Sequence, residues 1–302
     1  MFDRETATTT RVSVASDGTE GNNNTSFESD ISADGRFVTY SSVASNLVPD
    51  DTNNTSDVFV FDRQTGATTR VSVASDGTEG NGGSAAPAIS ADGRFVAYHS
   101  SATNLVPGDT DDGLTDLFVF DRQANATELV SVASDGTEPN GSIFGGSGAV
   151  EISADGRFVV YSSSATNVVP GDTNDVLDIF VFDRQTNTTE RVSVASDGTE
   201  GNGSSIGPGI SADGRYVTYT SQATNLVPGD TNGTSDIFLF DRQTNTTVRL
   251  SVSGSDGQAS ISADGQYVAY PSDASNLVPG DTNGVTLTSS SSTPGSPRRW
   301  TE

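Results

Sequence analysis

Apolar and polar residues alternate in short blocks that recur along nearly the whole chain. One unit, starting at Ile210, reads ISADGRYVTYTSQATNLVPGDTNGTSDIFLFDRQTNTTVRLSVS. YVTYTS and DIFLFD are rich in β-branched and aromatic residues and are bounded by turn formers, which predicts strands. The Asp-Gly pair between apolar residues predicts a tight hairpin, because glycine tolerates positive φ. RQTN predicts a second turn, and TTVRLSVS predicts a further strand. No segment carries helical periodicity.

Two markers fix the repeat. SADG places its aspartate at Asp34, Asp92, Asp155, Asp213 and Asp264, and FDR places its own at Asp3, Asp62, Asp121, Asp183 and Asp241. Four short antiparallel strands per unit, repeated, predict the blades of a β-propeller. Residues 27–74, 85–134, 148–196 and 206–253 each supply a full blade. Residues 258–288 supply the start of a fifth, and residues 1–14 supply its end. The expected architecture is therefore all-β: one five-bladed propeller over 1–288, closed by pairing N- and C-terminal strands, which removes exposed sheet edges.

SADGR followed by FVTYSS, then VFVFDRQTG and TTRVS, resembles the TolB-type, WD-like propeller repeat. The resemblance covers all but the last ~15 residues, judged by where the pattern stops. It departs from that family in having alanine where proline is usual, as at Ala33 and Ala212, and in the longer loop NLVPGDTNGTSD. It implies protein partners at a channel mouth, in the cell envelope or outside the cell. It is specific for fold and poor for function, since such propellers serve many roles.

The tail breaks the pattern. From the spacing of the other blades, the fifth third strand should end at 292 or 293, but the residues there are TSSSST, Thr288–Thr293. The strand D-I-F-V-F-D, encoded GAC ATC TTC GTC TTC GAC and read one base late, spells T-S-S-S-S-T. The C-terminus therefore reads as a frame-shifted copy of an ordinary blade strand, and 289–302 is expected to be a polar tail without fixed structure. The alternative is a fragment of a longer reading frame with a sixth blade elsewhere, and whether Met1 is the true start stays open.

Composition narrows the chemistry. Hydrophobic residues make up 32% of the chain, enough for a repeat fold that needs only a short apolar block per unit. There is no cysteine, which excludes disulfides and thiolate catalysis, and a single histidine, His99, which excludes His-pair metal sites. His99 reads as a strand-end or surface residue. No apolar run approaches the ~20 residues of a membrane span. The start has no apolar stretch of the kind a signal peptide carries. The net charge is −25 and all 15 basic residues are arginine, so nucleic acid and anionic lipid are repelled. Such an acidic, lysine-free surface fits a high-GC, salt-adapted host.

Three groups of residues are candidates for function. The first is the loop D-T-N-x-x-x-D: Asp51, Asn53 and Asp57; Asp172, Asn174 and Asp178; Asp230, Asn232 and Asp236. The second blade has Asp109, Asp111 and Asp116. Oxygen ligands at this spacing resemble the start of a Ca²⁺ loop. The residue that would close such a loop, Asp241 in the fourth blade, lies about 16 Å beyond Asp236 along a strand at about 3.3 Å per residue. Asp241 therefore cannot close the same shell, which leaves for Ca²⁺ a weak site of three side chains with carbonyls and water, and Asx-turns are the competing reading. The second group is the acids of the innermost strands, Glu28, Asp30 and Glu151, with Phe144 at the same mouth. A carboxylate pair across a channel would suit a glycoside hydrolase or lyase. The third is the loops feeding those strands, residues 21–28, 80–87, 138–149, 201–208 and 254–258, which vary while the rest repeats. The favoured reading is a monomeric, non-catalytic module that binds or scaffolds a protein partner. The alternatives are the carbohydrate-active enzyme and an accessory propeller related to those of peptidases.

Overall fold

The computed structural model describes residues 1–109, 113–143, 150–251, 258–272 and 288–292. It falls into two compact units, Met1–Val132 and Ala133–Glu302. Among the described residues every regular element is a strand.

The first unit opens with β1 (Phe2–Asp3) and β2 (Thr8–Thr9), a two-stranded hairpin. Two four-stranded antiparallel sheets follow. The first is β3 (Thr25–Ile31), β4 (Phe37–Ser42), β5 (Asp57–Asp62) and β6 (Ala67–Arg70); the second is β7 (Ser84–Ile89), β8 (Phe95–Ser100), β9 (Asp116–Asp121) and β10 (Ala126–Leu129). The second unit has β11 (Val150–Ile152), β12 (Phe158–Ser163), β13 (Asp178–Asp183) and β14 (Thr188–Arg191), then β15 (Ser205–Ile210), β16 (Tyr216–Ser221), β17 (Asp236–Asp241) and β18 (Thr246–Arg249). A three-stranded sheet ends it: β19 (Ser260–Ile261), β20 (Val268–Ser272) and β21 (Thr288–Ser292).

The middle strands are apolar on both faces because a sheet or segment packs on each. In β5, β13 and β17 every residue is buried. Tyr40 stacks on Phe59 across the β4–β5 ladder with ring centroids 5.8 Å apart, and Tyr98–Phe118, Tyr161–Phe180 and Tyr219–Phe238 repeat the pair. Aromatic cross-strand pairs of this kind add about 0.5–1.5 kcal/mol beyond their buried area.

The SADG turn closes each inner hairpin with its own side chains. Ser32 Oγ donates to Asp34 Oδ1 at 2.7 Å, Asp34 accepts the Arg36 N–H, and the Phe37 N–H donates back to Ser32 Oγ. Gly35 takes a φ of 69° there. Consecutive sheets within a unit meet at these turns. The Ala33 N–H donates to the Ala91 carbonyl, Ala154 to Ala212, and Ala212 to Ala263, each at 3.0 Å. A Cβ on Gly93 would stand 2.2 Å from the Phe37 ring, one on Gly214 2.1 Å from Phe158, and one on Gly265 2.3 Å from Tyr216. Only glycine lets the turn lie flat on the preceding ring. Arg122 and Arg242 then cover the Phe37 and Phe158 rings, each at 4.1 Å from the centroid.

The N-terminal segment behaves as the end of a fourth strand. Val12 and Val14 pack on Tyr40, Leu47 and Phe59, as Val71 and Val73 pack on Tyr98, Leu105 and Phe118. The Thr68 hydroxyl donates to the Val14 carbonyl, matching Thr127 to Val73. The pairing Asp3↔Thr8 likewise matches Asp62↔Ala67, so the hairpin is a third-and-fourth-strand pair.

The C-terminal sheet departs from expectation in two ways. The boundary placed at residue 288 falls inside β21, whose ladder runs from Ser272↔Thr288 to Val268↔Ser292. That register is the one by which Ser221 meets Asp236 and Val217 meets Phe240. Thr288–Ser292 therefore stands at the position of an ordinary third strand; 293–302 lies outside the described residues. Second, β19 holds one edge of β20 and β21 the other, so β20 has no open edge for the N-terminal strand expected to pair there. A run of serines has the same backbone donors and acceptors as an apolar strand, which is enough to fill the ladder.

Candidate functional site: arginine-centred carboxylate clusters

The D-T-N-x-x-x-D loop joins the second and third strands of a blade and ends on the buried first residue of the third. In the first blade, Asn53 Oδ1 accepts the Thr55 N–H at 2.8 Å, forming an Asx-turn. Asn53 Nδ2 donates to Asp57 and to the Gly80 carbonyl, both at 3.0 Å. The Ser72 hydroxyl donates to Asp57 Oδ1 at 2.6 Å and receives the Val58 N–H.

Arg70, the last residue of β6, occupies the middle of this group. Its Nη1 pairs with Glu79 and lies 3.7 Å from Asp57 and 3.8 Å from Asp51. Glu79 also accepts the Thr52 N–H at 3.0 Å and the Thr52 hydroxyl at 2.6 Å. The third blade repeats the arrangement: Arg191 Nη1 pairs with Glu200 and stands 3.2 Å from Asp172 and 3.4 Å from Asp178. In the fourth, Arg249 Nη1 lies 2.8 Å from Asp230 and 3.6 Å from Asp236.

Burial sets the electrostatics. It pushes the Asp57, Asp178 and Asp236 carboxyls upward, against hydrogen bonds from their serine and asparagine partners. Asp172 rises to about 6, through burial first and then the charge of Asp178. Glu79 and Glu200, though burial pushes them up, are held below the usual range by bonds from Thr52 and Thr173 and by the arginines. In the first and third blades the three carboxylates come within 4.8 Å of one another, close enough to hold a metal ion. A guanidinium already neutralises part of that charge, with five donors in a fixed fork. Beside Arg191 a groove of about 490 Å³ opens between Val169, Pro170, Glu190, Asp197 and Phe240.

The second blade differs. Leu129 pairs with Phe118 at the register where Arg70 pairs with Phe59. Asp116 is buried and accepts the Ser131 hydroxyl at 2.8 Å. Asp109 is half-buried, and Asp111 lies outside the described residues.

The innermost-strand acids do not form one group of like residues. Asp30 lies in the regular β3–β4 ladder, whereas Glu28 falls in the bulged stretch between Thr25 and Ser29. Asp30 is committed to structure: it accepts the Ile89 N–H at 2.8 Å from β7 and its neighbour's N–H at 2.7 Å, while burial raises its pKa. It borders a cavity of about 320 Å³ with Val12, Ser26, Val38 and Tyr40. Glu151 lies on β11 opposite Val160, and Phe144 is outside the described residues. Four of the five FDR aspartates, Asp62, Asp121, Asp183 and Asp241, are bound by the arginine of SADGR, as where Arg36 Nε and Nη2 reach Asp62 at 2.9 and 2.7 Å, while Asp3 meets Arg63. That fork holds Asp121 and Asp183 at about 2.

Repeated four-stranded sheets joined face to face through glycine turns define a propeller-repeat protein. Solved structures agree on the fold. TolB from Acinetobacter baumannii is similar at 16% identity over 83% of this chain and 49% of its own, with a TM-score of 0.51. An oligogalacturonate lyase in complex with manganese matches at 13% identity, covering 90% of this chain and 66% of its own, TM-score 0.53. The β-propeller domain of the Trilobed protease from Pyrococcus furiosus matches at 11%, covering 89% and 68%, TM-score 0.51. The chain thus spans about half the length of that TolB and has the fold of TolB-type propellers. No family model and no curated protein matches it.

Proposed function

We propose that this chain is a non-catalytic propeller module that binds or scaffolds a protein partner, in the cell envelope or outside the cell. The observation that carries this reading is the use made of the acids. Asp51, Asp57, Asp172, Asp178, Asp230 and Asp236 surround arginines, and Asp30 clamps two backbone amides. These groups brace the blades, with a guanidinium beside the carboxylates proposed from sequence for Ca²⁺. The binding surface is then the variable loops before the innermost strands. Their bases are fixed by a repeated asparagine clasp, such as Asn22 with Asn46 and Asn202 with Asn225, while the residues beyond are free to differ. A closed propeller of five blades remains part of this proposal.

Photo-crosslinking tests the reading. A crosslinking residue at Glu28 or Ile206 should capture one discrete protein from the host envelope, and the same residue at Thr65, on an outer turn, should not. Equal labelling at all three positions would overturn it. So would turnover of oligogalacturonate, with or without added manganese.

A further inference from the structure

The carboxylate cluster of the third blade is not satisfied by the arginine at its centre. The Asp172 side chain is 3% exposed, and its Oδ1 faces Arg191 Nη1 at 3.2 Å. That buried oxygen accepts no hydrogen bond among the described residues. Arg191 Nε is buried without an acceptor as well, as Arg70 Nε is in the first blade. The guanidinium pairs closely with Glu200 alone and stands 3.4 Å from Asp178. One positive charge therefore faces three carboxylates, two of them out of water. Leaving buried charge so poorly matched is costly.

Two of the three carboxylates are positioned by donors other than the arginine. Glu200 accepts the Thr173 N–H at 2.9 Å and the Thr173 hydroxyl at 2.8 Å. Asp178 accepts the Ser193 hydroxyl and, at 2.9 Å, Asn174 Nδ2. None of these bonds involves Arg191, so the oxygens keep their places when the guanidinium leaves. Outer partners of this kind orient the ligands of a metal site. The arginine also has room to withdraw. Its side chain lines the groove of about 490 Å³, which the exposed Asp197 lines too.

We propose that the third-blade cluster binds Ca²⁺ through Asp172, Asp178 and Glu200, in exchange for the Arg191 guanidinium, which withdraws into the groove. The orphaned Asp172 oxygen then gains a partner, and two positive charges replace one. The three ligand atoms lie within 4.8 Å of one another. Opposite oxygens around an ion that binds them at about 2.3–2.6 Å are about 4.6–5.2 Å apart, so the spacing suits Ca²⁺. The Gly171 carbonyl, 3.4 Å from Arg191 Nη2, and water complete the shell. Mg²⁺ demands shorter, near-octahedral contacts and gives up its water reluctantly, which carboxylates fixed by separate bonds do not favour. The ligand set differs from the one suggested by loop spacing. Asn174 is spent on Asp178 and on the Val176 N–H, and Glu200, from a separate stretch, stands in its place. The ion ties the loop before β13 to the same segments as the arginine does, so the blade stays braced. The site is independent of the partner surface proposed above.

Calorimetric titration and melting curves of the chelator-treated full chain test it. About 1 M NaCl shortens the Debye length to about 3 Å and screens diffuse attraction of cations to a charge of −25. Ca²⁺ should raise the wild-type melting temperature to a plateau, and Mg²⁺ at the same concentration should raise it less. Asp172→Asn keeps the shape of the side chain, and circular dichroism confirms its β spectrum. It should bind one ion fewer per chain than the wild type. Arg191→Met removes the competing cation. Where the guanidinium fills the site more than about nine-tenths of the time, its loss should tighten Ca²⁺ binding at least about tenfold. Ca²⁺ should also restore the stability that this variant loses in chelator, a rescue that an arginine acting only as a brace does not allow. The proposal is overturned by a wild type without a saturable Ca²⁺ response, or by equal responses to Ca²⁺ and Mg²⁺. It is also overturned if Asp172→Asn binds as many ions as the wild type, or if Arg191→Met gains no more from Ca²⁺ than the wild type does.

Discussion

Arg191 Nη1 lies 3.2 Å from the carboxylate of Asp172, with the arginine side chain 9% exposed and the aspartate 3%. The pair ties the end of β14 to the loop before β13, and Glu200 and Asp178 complete the group. Removing the arginine would leave buried carboxylates facing one another. Arg191→Met should therefore destabilise the chain by about 3–5 kcal/mol, measured by urea unfolding. Leu129→Arg places a guanidinium at the same register of the second blade, near Asp116, and should stabilise by up to about 1 kcal/mol. If both variants lie within error of the wild type, the arginines are not braces.

Two buried groups should give opposite pH slopes. His99 is lowered to about 4 by burial, and its Nε2 has no hydrogen-bond partner. A lowered imidazole keeps the fold neutral there, so its contribution is present above about 6.5 and is lost as pH falls toward 4. Asp172 is raised to about 6, so the native state holds its proton longer than the unfolded chain does. Stability linked to it rises as pH falls from about 6 to about 4. Relative to His99→Ser, the wild type should lose about 3 kcal/mol between pH 7 and 4. Relative to Asp172→Asn, it should gain stability over the same range. Melting curves of the three proteins at each pH check both signs.

The strands and inner turns were legible because each rests on local chemistry: Asp34 and Gly35 need only their own hairpin to form it. The arginine clusters were not. Asp51 and Asp57 come from one loop and Glu79 from a separate stretch, and the residue joining them, Arg70, lies on a third. Spacing within one loop therefore suggested a metal site. A signal was present in T-x-R-V-S-V and T-V-R-L-S-V, where the arginine recurs and fails only at Leu129. Nothing local shows that Glu79 and Glu200 reach back to Thr52 and Thr173. His99 reads as a strand-end or surface residue, and it stands one residue from the end of β8, half-buried.

The sheet joints can be tested with a pair of glycines. Gly214 and Gly198 both have positive φ, 72° and 85°. A Cβ on Gly198 meets nothing within 4 Å, whereas one on Gly214 meets the Phe158 ring at 2.1 Å. Gly198→Ala should cost only the backbone term, about 1 kcal/mol. Gly214→Ala adds the displacement of a ring held by Arg242 and should cost about 2–4 kcal/mol. Phe158→Ala in the Gly214→Ala background should then cost less than it does alone, a coupling read from a double-mutant cycle. Additive losses would mean that the ring does not rest on the turn.

The serine strand β21 bears on the history of the chain as well as its stability. Its ladder puts Thr288 at the place of Asp236 and Ser292 at that of Phe240, so the C-terminal residues keep the spacing of a blade while losing its composition. A random polar tail has no reason to preserve that register, but a shifted reading frame does, since it changes residues without changing their number. The DNA covering 288–293, read in the neighbouring frame, should therefore encode an apolar strand ending in aspartate. Restoring Asp-Ile-Phe-Leu-Phe-Asp at these positions should raise stability by several kcal/mol, at about 1.5–3 kcal/mol for each large side chain that becomes buried. The gain should appear as a higher urea midpoint and a steeper transition, because more surface is buried in the native state. A coding sequence with no such strand in either frame rules out the shifted-frame origin. A restored strand with no gain means that β20 never packed against a full third strand.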